Sequence, residues 1–222
     1  MVKNIWQGLD WSYLLEILVS VIPSLICITL HELSHGYVAY RLGDNTAKKM
    51  GRLTLNPLKH IDIFGLLMMV VFKFGWAKPV PVNMNNFKDP KRGMAITALA
   101  GPVSNLVITL VFLFIYGLLY APLHSSTVGW YVLYGIYMTA YISLALAVFN
   151  IIPIPPLDGS KVLFSLLSEE KYYKLRRYEK YGMLLLLAVV ASGVLGSPLS
   201  RATGWLFDKL YSVARLAFNL VN

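Results

Sequence analysis

The sequence predicts an all-α, polytopic membrane protein with about four transmembrane helices. Hydrophobic residues make up 57% of the 222 residues and charged residues 14%. Soluble domains have roughly 45–50% hydrophobic and roughly 25% charged residues. No Asp, Glu, Lys or Arg occurs from Gly93 to Leu157 or from Tyr181 to Ser200. Because hydrocarbon cannot hydrate a charge, such stretches are typical of membrane spans rather than of soluble core helices.

Four segments are long enough to cross the hydrocarbon layer, which takes about 20 helical residues. We predict these spans at 12–38, 94–120, 131–153 and 181–199. The shorter apolar run at 61–75 favours a re-entrant hairpin or a short embedded helix. Proline and asparagine are dense in 76–90, which favours an extended loop or a small membrane-associated β element. Residues 205–222 carry apolar side chains at helical spacing among charged ones, which is typical of an interfacial helix.

Positive charge lies between the predicted spans, with ten Lys or Arg in 41–92 and six in 161–180. Because such residues stay on the cytosolic side, this pattern predicts an external N-terminus on a retained first span. The same pattern accounts for the net charge of +9 without nucleic acid, for which no basic helix or aromatic platform is visible. Without an internal repeat or appended module, we expect a single membrane-embedded domain over 1–222, with its core at about 12–165.

The sequence His-Glu-Leu-Ser-His begins at His31, inside the first predicted span. His31 and His35 differ by about 40° around a helix, so both imidazoles can bind one metal ion. Glu32 lies beside that position, where a general base for a zinc-activated water belongs. The alternative is a set of polar residues at a helix end, bound to headgroups or loop backbone. An acid at the centre of a span costs about 2.5–3.5 kcal/mol, which favours a functional site.

A catalytic zinc normally has three protein ligands and a fourth position for water. Asp158 follows a long uncharged span, and the prolines at 153, 155 and 156 interrupt the helix before it. We therefore predict Asp158 as the third ligand, with a helix cap or turn residue as the alternative. We interpret Cys27 as a buried hydrophobe and His60 and His124 as loop or interfacial residues. The pair Gly101 and Asn105 predicts close helix packing with an interhelical hydrogen bond.

Four motifs occur in one order, separated by apolar spans. They are HELSHGYVAYRLGD, GWAKPVPVN, AGPVSN and the Asn-x₂-Pro-x-Pro-Pro-Leu-Asp-Gly run at 150–159. Over about residues 25–165 this pattern resembles the site-2 protease family of intramembrane zinc metalloproteases, in a short form without PDZ or CBS domains. The resemblance implies one zinc per chain, held by His31, His35 and Asp158, with Glu32 as catalytic acid and base. It also implies that Asn150 orients substrate or stabilises the oxyanion, for which a helix-packing hydrogen bond is the alternative.

The resemblance further implies hydrolysis of peptide bonds of transmembrane protein substrates within or near the bilayer, that is, regulated intramembrane proteolysis. The edge of 76–90 would then pair with an unwound substrate, and a plain connecting loop is the alternative. A metal or proton-coupled transporter is the main alternative, although inverted repeats or acids on several spans would be expected for it. The second alternative is a catalytically inactive scaffold that binds membrane helices. We expect a prokaryotic cytoplasmic membrane, with the site opening toward the cytosol, and the sequence leaves the oligomeric state open.

Overall fold

The structure, a computed structural model, describes residues 11–72 and 75–221. Regular structure in these ranges is helical and includes no β-strand, in agreement with the all-α class. The helices, in chain order, are α1 (Trp11–Arg41), α2 (Thr46–Lys49), α3 (Ile63–Phe72), α4 (Pro90–Leu123), α5 (Thr127–Asn150), α6 (Asp158–Ser165), α7 (Glu169–Tyr178), α8 (Gly182–Ala191), α9 (Gly196–Leu210) and α10 (Ser212–Val221).

In the described ranges, the two helices α4 and α5 are long and apolar enough to cross a membrane. Helix α4 covers the predicted span 94–120, and α5 covers the predicted span 131–153 as far as Asn150. The side chain of Asp89 caps α4 by accepting from the Arg92 N–H, and the side chain of Ser126 caps α5 by accepting from the Gly129 N–H. These caps satisfy backbone donors that have no partner within the helix. The protein is therefore an integral membrane protein built on an antiparallel helix pair.

Helix α1 has 31 residues and covers the predicted first span at 12–38. It packs against both α4 and α5, so its last turns lie beside the central pair. The predicted external N-terminus concerns residues 1–10, which lie outside the described residues. That prediction is not tested by the structure.

The predicted span at 181–199 is not a continuous helix. Helix α8 ends at Ala191, and the chain turns through Gly193, whose φ of 71° is the left-handed conformation that glycine tolerates. The helices on the two sides of this break are bent by 86°. The described residues thus contain two spans, or three if this bent pair crosses as one, and the predicted count of four is not confirmed. An uncharged stretch of sufficient length does not ensure a straight helix.

The predicted β element at 76–90 is reduced to one antiparallel bridge between Ile61 and Ala77 within the described residues. The backbone continues extended and then makes a short helical turn at Met84–Asn86. The apolar run before it forms the short helix α3, although residues 73–74 lie outside the described ranges. The 76–90 segment is therefore an extended connection between α3 and α4.

The segment 205–222, predicted as one interfacial helix, contains the end of α9 and the whole of α10. Helix α10 packs closely against α4. A Cβ atom added to Gly117 would lie 2.1 Å from the Ala214 carbonyl oxygen. Ala214 and Ala217 are buried at this contact. Leu113 of α4, Leu144 of α5 and Ala214 belong to one apolar cluster, so the C-terminal region shares the core of the central pair.

Candidate metal centre

The end of α1 and the start of α6 bring three metal-binding side chains together. The Asp158 Oδ2 atom lies 3.2 Å from His31 Nε2 and 3.1 Å from His35 Nε2. The two Nε2 atoms are 3.0 Å apart. All three residues are buried, with 5–8% of their surface exposed. The three predicted ligands therefore form a small triangle of donor atoms inside the protein.

This triangle fits a zinc ion. Zinc in a tetrahedral site binds N and O donors at about 2.0–2.2 Å, which separates neighbouring donors by roughly 3.3 Å. The observed separations of 3.0–3.2 Å are close to this value. Among the described residues, Asp158 Oδ2 has no hydrogen-bond partner beyond the facing imidazoles. Two imidazoles and one carboxylate are also the donor types of catalytic zinc sites.

The second nitrogen of His35 shows which ring atom is available to a metal. His35 Nδ1 lies 2.7 Å from the Thr97 carbonyl oxygen of α4. Because a carbonyl only accepts, Nδ1 carries the proton and Nε2 presents its lone pair to the triangle. On Asp158, the other oxygen, Oδ1, lies 3.4 Å from Lys161 Nζ, and this positive charge favours the ionised carboxylate that a metal requires.

Gly101 of α4 makes room for both imidazoles. A Cβ atom at this position would lie 2.4 Å from His35 Nε2 and 2.5 Å from His31 Cε1. The predicted close packing at Gly101 is confirmed, but its partners are the imidazoles. In the sequence, Gly101 stands out only as the glycine of the AGPVSN motif inside an uncharged span. This pattern predicts close helix packing, but it does not show that the two histidines lie opposite.

Glu32 lies beside the triangle and is held by the extended segment. Its Oε2 atom accepts a hydrogen bond of 2.8 Å from the Val80 N–H. A Cβ atom at Gly36, one turn further along α1, would lie 3.0 Å from the Val80 side chain, so Val80 packs onto the helix that carries the motif. Sequence reasoning did not identify Val80, because a backbone donor leaves no residue-specific signal.

Asp44, which lies just after α1, binds the far end of the extended segment that contains Val80. Its carboxylate accepts from the Asn83 N–H at 2.7 Å, the Asn86 side-chain amide at 2.7 Å, and the Thr46 N–H at 3.0 Å. Burial raises the pKa of Asp44, but a hydrogen bond from the Thr46 hydroxyl and the bonds from Asn86, Asn83 and the Thr46 N–H lower it by more in total, so the net shift is downward. On the other side of Val80, Arg52 donates to the Lys78 carbonyl at 2.8 Å. The segment that holds Glu32 is thus anchored on both sides.

The remaining predicted positions lie apart from the triangle. The Asn150 side-chain amide donates to the Leu146 carbonyl one turn earlier at 3.0 Å, and no hydrogen bond in the described part of the chain joins it to the three ligands. Its role toward substrate stays a prediction. His60 is a buried loop residue bound to the Thr54 carbonyl, and His124 is exposed at the end of α4. Cys27 is buried.

Comparison with known proteins identifies the family. The sequence pattern of peptidase family M50 matches residues 119–192, which include Asp158. "Putative zinc metalloprotease YwhC" of Bacillus subtilis is 40% identical over 173 residues, 76% of this chain and 78% of the relative. The chain belongs to peptidase family M50. This is the site-2 protease family, so the protein is a zinc metalloendopeptidase and zinc is its cofactor.

Two further relatives of this M50 peptidase extend the comparison. "Putative zinc metalloprotease Rip2" of Mycolicibacterium smegmatis is 29% identical over 201 residues, 89% of this chain and 76% of the relative. "Putative zinc metalloprotease MJ0611" of Methanocaldococcus jannaschii is 36% identical over 153 residues, 67% of this chain and 72% of the relative. No solved structure matches the chain significantly. Since the relatives carry peptidase names, the transporter and scaffold alternatives have no support among them.

Proposed function

We propose that this M50 peptidase hydrolyses peptide bonds of transmembrane protein substrates within or near the bilayer. The observation that supports this function is the buried triangle of His31, His35 and Asp158, which lies against the membrane-crossing helix α4 with Glu32 beside it. A donor triangle at this place serves substrates that approach from the bilayer or its edge. The same three side chains are the proposed zinc ligands, with one ion per chain.

The chemistry that a bound zinc supplies at such a site is Lewis acidity toward water and the scissile carbonyl. Glu32 accepts the proton of the attacking water and later donates it to the leaving amine. The Val80 N–H binds one carboxylate oxygen, Oε2, and leaves Oε1 for this proton. A fixed carboxylate needs no reorientation between the two transfers. We assign Asn150 the role of orienting substrate or stabilising the oxyanion, and since its side-chain NH₂ group has two donors, one remains for this role beside the bond to the Leu146 carbonyl.

We place the protein in a prokaryotic cytoplasmic membrane, with an external N-terminus and the site opening toward the cytosol. The Lys and Arg residues of 41–92 and 161–180 support this orientation. The bacterial and archaeal relatives support the compartment. In this arrangement the four spans are α1, α4, α5 and the segment 181–199, with the basic residues of 161–180 before it on the cytosolic side. The apolar cluster shared by α4, α5, α9 and α10 supports one domain over 1–222, although the proposed core of 12–165 does not include all of it.

The test uses full-length protein reconstituted with single-span model substrates that carry helix-breaking residues near the cytosolic end of the span. Unfolded casein serves as a soluble comparison substrate. We expect zinc-dependent cleavage of the model spans by the wild type. Cleavage of casein alone would refute the proposed substrate class.

Two variants separate the roles within the site. Glu32→Gln should retain about one zinc per chain but lose cleavage, because the amide cannot accept the water proton. Asp158→Ala should lose the zinc, measured by elemental mass spectrometry after dialysis against a mild chelator. Wild-type cleavage by Glu32→Gln would refute the acid–base assignment. Full zinc retention by Asp158→Ala would require another third ligand.

A further inference from the structure

Asn105 lies fully buried in α4 and faces the ring edge of His31 that points away from the triangle. Its side-chain nitrogen, Nδ2, is 3.1 Å from His31 Nδ1. Its side-chain oxygen, Oδ1, is buried and has no hydrogen-bond partner in the described part of the chain. An amide oxygen that is completely shielded from water and left without a donor is costly, by about 1–3 kcal/mol. The predicted interhelical hydrogen bond of Asn105 is thus present, but it leaves this oxygen unsatisfied.

The chemistry of His31 determines which amide atom belongs at this contact. If His31 binds a metal through Nε2, that atom presents a lone pair and Nδ1 carries the proton. Nδ1–H is then a donor, and the amide NH₂ group cannot accept from it. Turning the amide by 180° places Oδ1 beside Nδ1, so that the Nδ1–H proton has an acceptor, and moves the NH₂ group to the position that Oδ1 occupied.

We propose that Asn105 is a positioning residue of the zinc site. Its side-chain oxygen accepts the proton of His31 Nδ1–H and thereby directs the Nε2 lone pair toward Asp158 and His35. This inference rests on the proposed role of His31 as a ligand. It completes a symmetrical arrangement, since the Thr97 carbonyl accepts from His35 Nδ1 in the same way. Helix α4 then orients both imidazoles, one through a side chain and one through its backbone.

The position of Asn105 is itself fixed by the central helix pair. Its backbone carbonyl accepts from Ser143 Oγ of α5 at 2.8 Å and from Thr109 Oγ1 at 2.9 Å. Gly101 lies one turn earlier on α4 and permits the close approach of α1 to this surface. The backbone that carries the Asn105 side chain is therefore held in place by two hydrogen bonds, and the side chain itself is fully buried.

The test measures zinc affinity of the detergent-purified full chain by competition with a chromophoric chelator. Asn105→Asp keeps an oxygen at the contact but removes the NH₂ group, whereas Asn105→Leu removes both at similar volume. We expect Asn105→Leu to bind zinc about 10–100-fold more weakly, as typical for a lost orienting partner. Asn105→Asp should remain within a few-fold of the wild type. If Asn105→Asp loses as much affinity as Asn105→Leu, the required group is the amide N–H and the proposal is overturned.

Two controls distinguish the proposed positioning role of Asn105 from a purely structural role and from an error in the ligand set. Thr139→Val removes a buried hydroxyl of α5 that bonds within its own helix, and it should leave zinc affinity unchanged whatever it does to the melting temperature. A purely structural Asn105 would lower the melting temperature of the zinc-free protein with no change in affinity, which would overturn the proposal. His31→Ala should abolish zinc binding. Retained zinc in that variant would refute the ligand set, whereas loss there with full affinity in Asn105→Leu would refute this inference alone.

Discussion

Replacing Gly101 with alanine should disable the zinc site while leaving the helices folded. The added methyl group would lie 2.4 Å from His35 Nε2 and 2.5 Å from His31 Cε1. Carbon contacts are favourable at about 3.5–4.0 Å, so the rings or α4 would have to move by roughly 1 Å. Both clashing atoms belong to the two imidazoles whose Nε2 atoms face Asp158. The strain therefore falls directly on the proposed ligands.

The expected loss follows from how little a metal site tolerates displacement. Zinc–ligand distances vary by about 0.2 Å, which is far less than the required shift of roughly 1 Å. We expect zinc affinity to fall at least 100-fold, equivalent to about 2.8 kcal/mol. The intrinsic preference of a helix for alanine over glycine is about 0.5–1 kcal/mol and acts on folding, so it cannot restore the ligand geometry.

Gly135 of α5 provides a matched control. A Cβ atom at Gly135 would meet nothing within 4 Å. Gly135→Ala should therefore keep wild-type zinc affinity and gain up to about 1 kcal/mol of stability. Affinity is measured by chelator competition, helix content by circular dichroism, and activity by cleavage of a single-span model substrate. A Gly101→Ala protein that binds zinc within two-fold of the wild type would refute the steric argument.

Three further substitutions test the anchoring of the site and of the C-terminal region. Val80→Pro removes the N–H that binds Glu32. Because hydrogen bonds to charged groups contribute about 1.5–3 kcal/mol, kcat for a model substrate should fall about 10–100-fold with KM and zinc content unchanged. Asp44→Asn weakens the anchor of the extended segment and should lower the melting temperature at neutral pH. Since the folded pKa of Asp44 lies below the unfolded value of about 3.9, this contribution is complete above that value and is lost as pH falls through the folded pKa. Gly117→Ala would bring a methyl group 2.1 Å from the Ala214 carbonyl, so α10 should separate from α4 and become more sensitive to limited proteolysis.

Each of these predictions has a specific control. Val80→Ala keeps the N–H and shortens the side chain, so equal losses of kcat in both Val80 variants would contradict the role of the hydrogen bond. For Asp44, a melting-temperature difference between wild type and Asp44→Asn that stays constant from pH 7 to pH 3 would contradict the linkage. Gly204→Ala, where a Cβ atom meets nothing within 4 Å, should not expose α10. Equal proteolysis of the Gly204 and Gly117 variants would show that the α4 contact is unimportant.

Local sequence was sufficient for the membrane character and for part of the site. Long uncharged stretches predicted α4 and α5, because hydrocarbon excludes charge along the whole length of a span. His31 and His35 share a face because four residues make about one helical turn, a relation that needs no tertiary information. The same reasoning does not predict the interruption within 181–199, where the helix ends at Ala191. Composition alone does not locate such a break.

Tertiary packing decided which parts of the chain meet at the site. Asp158 lies more than a hundred residues after the two histidines, and its distances of 3.2 Å and 3.1 Å to them follow from how α1, α4 and α6 pack. The contacts of Gly101 with the imidazoles and of Val80 with Glu32 arise in the same way. Periodicity within one segment reports which face a residue lies on. Which group lies opposite that face depends on how the other segments pack, and only the tertiary structure determines this packing.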